Sequence, residues 1–215
     1  MKKKFYLLSV LVFSSLSHAS AQKTTIGFST GVNRFATQDG FSKPSNRSRY
    51  KTGFSAGLHT EIGIGKQFSL QPGLLFVTKG SIDYEKTTII TVSHIEMPVN
   101  IIYKIRLGAG RLIVGAGPYA AVAVGGSGRD KESNTDIDVR FDNDIMFSQI
   151  GQGVAYVRRF DAGINGLAGY EFTSAIFFRV NSQLGLVDTS PLLEGEPYFY
   201  KSKNFGFALS MGYKF

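Results

Sequence analysis

Two chemically different faces alternate along the stretch HIEMPVNIIYK, which occupies residues 94–104. Every second position from Ile95 to Tyr103 is apolar, whereas the positions between them include Glu96 and Asn100. A repeat of two residues is that of a β-strand, because successive side chains of a strand point to opposite faces. We therefore predict a strand with one apolar side and one polar side.

The residues that follow predict a partner for this strand. After a short break at residues 105–110, alternate positions from Leu112 to Val124 are apolar. The two runs predict an antiparallel hairpin whose apolar face must be covered. The sequence contains no amphipathic helix and no second, differently patterned sheet for this purpose, so the predicted cover is the hydrocarbon of a membrane.

The amino-terminal residues have the layout of a secretory signal peptide. Lysines at positions 2–4 precede an apolar run at residues 5–13, and ASA at residues 19–21 matches an A-x-A cleavage site. A run of nine residues is far shorter than the roughly 20 that a membrane-spanning helix needs. We predict a signal peptide at residues 1–21 and a single barrel domain at residues 22–215.

Composition excludes several classes of function. The chain has no cysteine, so it has no disulfide, no thiolate chemistry and no lipid-anchored cysteine after the signal peptide. Its formal net charge of +8 includes the three lysines of the signal peptide, and the remaining excess is scattered. Such a charge does not predict a nucleic-acid partner. We also predict no cofactor, because the sequence lacks a phosphate loop and a dinucleotide fingerprint.

Eight strands follow one another, and long and short connections alternate between them. They are predicted at residues 24–34, 51–63, 68–79, 94–104, 111–126, 159–171, 175–183 and 205–215, with an irregular stretch expected at 126–157. Short turns beside both termini and long loops opposite are typical of outer-membrane barrels. We therefore predict an all-β fold, an eight-stranded antiparallel up-and-down transmembrane β-barrel. It is expected as a monomer in the lipid of a Gram-negative-type outer membrane.

Aromatic residues support this orientation. Seven of them fall on the apolar face near the short turns, namely Phe68, Tyr103, Tyr170, Phe172, Phe178, Tyr213 and Phe215. Transmembrane barrels carry aromatic girdles at the two membrane interfaces. We therefore expect these rings at the surface of the membrane that the short turns face.

Several motifs resemble those of a known family. They are HIEMPV at residues 94–99, VGAGPY at 114–119, a segment at 163–172 that ends in GYEF, LGL at 184–186 and GYKF at 212–215. On these motifs the chain resembles the PorT-like family of outer-membrane β-barrel proteins, which are porin-like small barrels, although His94 stands where an aromatic residue is usual. The resemblance implies an outer-membrane barrel whose carboxy-terminal aromatic residue is recognised by the assembly machinery. It implies no defined substrate.

The polar face is predicted to fill the barrel. Its members include His59, Glu61, Glu96, Lys104, Arg111, Asp161, Glu171 and Arg179. Eight strands enclose a space that side chains fill, so we expect a structural network of ion pairs and hydrogen bonds rather than a channel. The pair that we predict near mid-height is Glu96 with Arg179.

No catalytic residue and no metal site are predicted. Ser55, His59 and Glu61 share one face, but that face points into the lumen, where an acyl chain of the membrane does not reach. Four of the aspartates in the longest connection lie close together in the sequence, at positions 136, 138, 142 and 144. The glycine and the terminal glutamate of a calcium-binding hand are missing there, so a solvated loop is expected.

Function is expected to lie in the loops. Three consecutive aromatic residues, Tyr198, Phe199 and Tyr200, predict a surface for contact with another protein of the cell envelope. The expected role is that of a barrel that acts through its extracellular loops or as a partner in an envelope assembly related to secretion or adhesion. Three alternatives stay open: a lipid-modifying enzyme, a narrow pore, and a soluble lipocalin-like binder with its apolar face inside.

Overall fold

The structure is a computed structural model that describes residues 24–39, 48–83, 87–151, 153–197 and 201–215. In these ranges the chain forms thirteen β-strands and one short 3₁₀ helix. The strands are β1 (Thr24–Asp39), β2 (Arg49–Gly63), β3 (Phe68–Ile82), β4 (Thr88–Leu107), β5 (Gly110–Asp130), β6 (Thr135–Phe141), β7 (Asp144–Ile145), β8 (Val154–Val157), β9 (Phe160–Phe172), β10 (Ile176–Gly185), β11 (Leu192–Leu193), β12 (Glu196–Pro197) and β13 (Ser202–Lys214).

Eight of these strands close into a barrel. Each pairs antiparallel with its neighbours in the order β1, β2, β3, β4, β5, β9, β10 and β13, and β13 pairs back with β1. The connections from β2 to β3, from β4 to β5 and from β9 to β10 are the short ones, and they lie at the same end of the barrel as Thr24 and Phe215. The predicted eight-stranded antiparallel barrel is therefore confirmed.

The outer wall of the barrel is apolar and the lumen is polar. Val32 and Leu209 are 59% and 62% exposed on the outside, whereas Glu96 is 2% exposed and Asp161 0% exposed on the inside. A continuous exposed belt of this kind is unfavourable in water, and lipid is the environment that fits it. The orientation excludes the soluble lipocalin-like alternative, which needs its apolar face inside.

No helix in the described residues is long enough and apolar enough to cross a membrane. The single 3₁₀ helix that the structure describes, Phe147–Gln149, lies in the longest connection.

The described part of the connection at residues 126–157 contains regular strands, which corrects the prediction of an irregular stretch. β5 extends into this region, where β6 pairs with it antiparallel and β8 pairs with β6 in parallel. Val92 of β4, Ala123 of β5 and Val139 of β6 form a buried apolar cluster. This cluster stabilises the extended strands above the membrane belt, because it removes apolar side chains of the loop from water.

Candidate functional sites in the lumen and the long loops

Four charged residues from four strands form a cluster in the lumen near the short turns. Glu61 and Glu171 each contact both Lys104 and Lys214. The Lys214 Nζ lies 2.6 Å from a Glu61 carboxylate oxygen, and the Lys104 Nζ lies 3.2 Å from a Glu171 oxygen. Ser69 Oγ also donates a hydrogen bond to Glu61 over 3.0 Å. We call the four charged residues the lower cluster. Its two positive and two negative charges cancel, so it carries no net charge.

A second cluster lies farther toward the long loops. The Nζ of Lys79 is 2.8 Å from a carboxylate oxygen of Glu96 and 3.1 Å from one of Asp161. Tyr119 Oη and Asn204 Nδ2 donate further hydrogen bonds to Asp161. These partners offset the cost of burying three charges in one place. We call this group the upper cluster, and it carries one net negative charge.

The predicted pair of Glu96 with Arg179 is wrong. Glu96 contacts Lys79, and Arg179 instead donates a hydrogen bond from Nη1 to Gln71 Oε1 over 2.9 Å. The reason is height along the barrel. Glu96 is the twelfth residue of β4 counted from the short-turn end, whereas Arg179 is only the fourth residue of β10 from that end. The two side chains therefore point into the lumen at different levels.

Sequence reasoning missed Lys79 as a member of the network. The signal was present, because Lys79 has the same parity in β3 as Ser69 and Gln71, which also point into the lumen. The apolar side chains of the lumen were missed as well. Ile102 and Ile113 are fully buried there, so ion pairs alone do not fill the interior.

A cavity of about 90 Å³ lies in the lumen between the two clusters. Arg179, His59 and Asn100 line it together with Gln71. The Nε and Nη2 atoms of Arg179 and the Nε2 atom of Gln71 have no hydrogen-bond partner among the described residues. A polar space of this size has room for several water molecules, which are the partners that such buried groups require.

Two other predictions concern Arg111 and the group of Ser55, His59 and Glu61. Arg111 is exposed at the short-turn rim, one residue into β5, where it pairs with Glu171 in the β5–β9 ladder. Among the described residues its side chain makes no ion pair with either cluster. Ser55, His59 and Glu61 are buried on the lumen side, where Glu61 is held by lysines and the ring of His59 packs 5.4 Å from that of Phe177. These three residues do not form a nucleophile and base pair among the described contacts.

Two long loops are joined by a small sheet above the barrel. Within it β11 pairs with β7 in parallel and with β12 antiparallel. The backbone N–H of Leu192 donates to Asn143 O over 2.8 Å, and that of Glu194 donates to Ile145 O over 2.9 Å. The N–H of Phe147 donates to the Glu194 carboxylate over 3.3 Å. These bonds fix the longest connection against the connection that precedes β13.

The joined loops present apolar side chains to solvent. Phe147 is 69% exposed and Met146 is 63% exposed, and Ile150 at the end of the 3₁₀ helix is exposed as well. We call these three residues the loop patch. The predicted contact residues Tyr198, Phe199 and Tyr200 lie outside the described residues. The loop patch was missed because it is a short apolar run inside an acidic stretch.

The acidic residues of the longest connection show no grouping suited to a metal ion. In the described part of the chain, no set of three or more histidine, aspartate or glutamate side chains is arranged to hold one. Asp138 instead pairs with Arg140 at 2.8 Å, and both side chains are exposed. The hydrogen bond to Asp138 raises the pKa of Arg140 above its ordinary value.

Comparisons with known proteins found a matching family and several similar solved structures. Residues 18–190 match a family model described as "Outer membrane protein beta-barrel domain". Similar solved structures include Ail, the attachment invasion locus protein of Yersinia pestis, with 10% identity, a TM-score of 0.47, and coverage of 90% of this chain and 99% of that one. Neisserial surface protein A has 10% identity, a TM-score of 0.49 and coverage of 90% and 99%. OprG from Pseudomonas aeruginosa has 12% identity, a TM-score of 0.45 and coverage of 89% and 94%. No curated protein matches this chain.

Proposed function

We propose that this chain, which belongs to the outer membrane protein β-barrel domain family, is a plugged barrel that acts through its extracellular loops by binding another protein of the cell envelope. The proposal includes export by a signal peptide at residues 1–21, a barrel domain at residues 22–215 and a monomeric state. We also propose that the chain belongs to the PorT-like family and that it has a role in secretion or adhesion that involves no catalysis.

The loop patch is the observation that carries this proposal. Phe147 and Met146 are mostly exposed although the backbone around them is tied to a second loop by hydrogen bonds. They lie beyond the barrel strands, where membrane lipid does not cover them. Exposed apolar residues on an ordered support are typical of protein interfaces, which are enriched in aromatic residues and methionine. A protein partner is therefore the occupant that fits best.

The filled lumen supports a role for the loops over a role as a pore. An ion that crossed the barrel would have to pass both the upper and the lower cluster, and each consists of buried ion pairs. Breaking such a pair leaves an uncompensated charge in the interior, which is strongly unfavourable. The barrel therefore serves as a rigid support for the loops.

Site-specific photo-crosslinking in intact cells tests the proposal. A photoreactive amino acid at position 147 should give one discrete crosslinked product with an envelope protein, and Met146→Ser with Ile150→Ser should weaken it. The matched control is the same amino acid at Lys131, which is exposed in the same connection and outside the loop patch. Identical products at both positions, or none at position 147, would contradict the proposal.

A further inference from the structure

A shallow apolar depression of about 620 Å³ lies on the outer wall, where β1, β13 and β10 run side by side. Its lining includes Val32, Phe54, Phe178, Leu209 and Met211. All five side chains are exposed and point away from the lumen. They lie within the apolar belt of the barrel, so the surrounding solvent at this point is the acyl-chain region of the membrane.

A basic residue lies at the upper edge of this depression. Arg34 follows Val32 by two residues in β1 and is exposed on the same outward face. The strand register places Arg34 beside Phe207 and Val32 beside Leu209, one step lower. Two residues along a strand span about 6.6 Å. The guanidinium group therefore lies directly above the apolar depression, toward the long loops.

Aromatic rings surround Arg34 on the outer wall. Its guanidinium carbon lies 5.8 Å from the centre of the Tyr50 ring, and that ring lies 5.4 Å from Phe205 and 5.6 Å from Phe207. Lys203 precedes Phe205 by two residues and shares its outward parity in β13. Aromatic and basic residues in this combination are typical of the level at which lipid headgroups meet the hydrocarbon.

The outward face of this sector is basic around Arg34. In β2, in β13 and in β1 up to Thr37, no outward position holds aspartate or glutamate. Arg34 therefore has no carboxylate of these strand segments to pair with, whereas Lys203 lies next to Ser202, whose backbone N–H donates to the carboxylate of Asp188 over 2.9 Å. The long-loop end of the barrel faces the outer leaflet of the outer membrane, where phosphorylated glycolipids provide anionic groups at headgroup level. Arginine binds phosphate through charge-assisted hydrogen bonds.

We propose that the depression and its basic edge form a binding site for a phosphorylated glycolipid of the outer leaflet. An acyl chain lies in the depression, and a headgroup phosphate accepts hydrogen bonds from Arg34 with support from Lys203. The inference depends on the location of the barrel in the outer membrane and is independent of the loop patch.

Native mass spectrometry of the purified full chain in a mild detergent tests this site with lipid A as the probe. The wild-type protein should retain one lipid A molecule, and enzymatically dephosphorylated lipid A should bind on the order of tenfold more weakly, as for loss of a hydrogen bond to a charged group. The double variant Arg34→Gln with Lys203→Gln should show the same loss for intact lipid A. The control Lys66→Gln, in the exposed turn at the opposite end, should bind like the wild type.

A second variant tests the depression separately. Ala168 lines it on β9, and Ala168→Phe should fill part of the space and reduce lipid A retention while Arg34 is intact. Unchanged gel mobility of unboiled protein shows that each variant is folded. Equal retention of phosphorylated and dephosphorylated lipid A would overturn the proposal, as would a double variant that binds like the Lys66→Gln control. Preferential retention of a phospholipid, or a lipid-free dimer that is lost in Ala168→Phe, would also overturn it.

Discussion

Lys79 is the residue on which the upper cluster depends. It is the only cation in contact with Glu96 and Asp161 among the described residues, and all three side chains are almost completely buried. The remaining donors to Asp161, Tyr119 and Asn204, are neutral. Removal of the ammonium group therefore leaves two carboxylates close together in a space from which water is largely excluded.

We expect Lys79→Met to lower the free energy of unfolding by about 3–5 kcal/mol, because it breaks a buried ion pair and leaves the partner charges uncompensated. Urea unfolding of the barrel in lipid vesicles measures this change. The matched control is Arg140→Gln, which removes a cation from an exposed pair with Asp138 and should have no measurable effect. Equal destabilisation by the two variants would show that the upper cluster contributes no more than a surface pair.

The faces of individual residues could be predicted from sequence, but their partners could not. Parity grouped Glu61, Glu96 and Asp161 on one face, since side chains alternate along a strand. The aromatic banding, the alternation of long and short connections and the terminal Phe215 predicted that this face points into the lumen. The partner of Glu96 depends on the stagger between strands and on the reach of a lysine stem, which a single sequence does not encode locally. For this reason the predicted partner was Arg179 and the observed one is Lys79.

At the scale of the element, close approach between β4 and β5 requires a glycine. A Cβ atom at Gly117 would collide with the backbone carbonyl oxygen of Val99, whereas a Cβ at Gly125 in the same strand would meet nothing within 4 Å. Backbone atoms of a paired strand have little freedom to move away. A side chain larger than hydrogen is therefore tolerated at Gly125 but not at Gly117, although both lie in β5.

We expect Gly117→Ala to destabilise the barrel by about 1–3 kcal/mol, the usual cost of an added methyl group in a tightly packed site. Gly125→Ala is the matched control and should leave stability nearly unchanged. The folded fraction of each variant, read from the gel mobility of unboiled samples across a temperature series, gives the comparison. A Gly117→Ala barrel that survives to the same temperature as Gly125→Ala would refute the close approach.

The extra strands of the longest connection could have been predicted. Within β6 the apolar residues Ile137, Val139 and Phe141 alternate with charged ones, which is the same period of two that identified the barrel strands. The high content of aspartate and asparagine in the surrounding stretch obscured this signal. The pairing of β7 with β11 has no such pattern, because two-residue strands are too short to show a period.

At the scale of the whole molecule, the charges of the lumen balance. The lower cluster is neutral, the upper cluster carries one net negative charge, and Arg179 in the space between them carries one positive charge. The charges of these described residues therefore sum to zero. The alternation of long and short connections predicted the barrel from sequence. Whether the lumen is blocked could not be predicted in the same way, because it depends on how side chains from all eight strands pack together.

We expect the wild-type barrel to show no stable conductance in a planar lipid bilayer, because two separate ionic clusters close the lumen in series. Glu171→Ala with Lys214→Ala removes one charge of each sign from the lower cluster and should remain silent, since the upper cluster still closes the lumen. Adding Lys79→Ala and Glu96→Ala to this pair should produce conductance steps, provided that gel mobility shows a folded barrel. Steady steps from the wild-type protein, or from the lower-cluster variant alone, would show that the clusters do not act as two barriers and would favour the narrow pore.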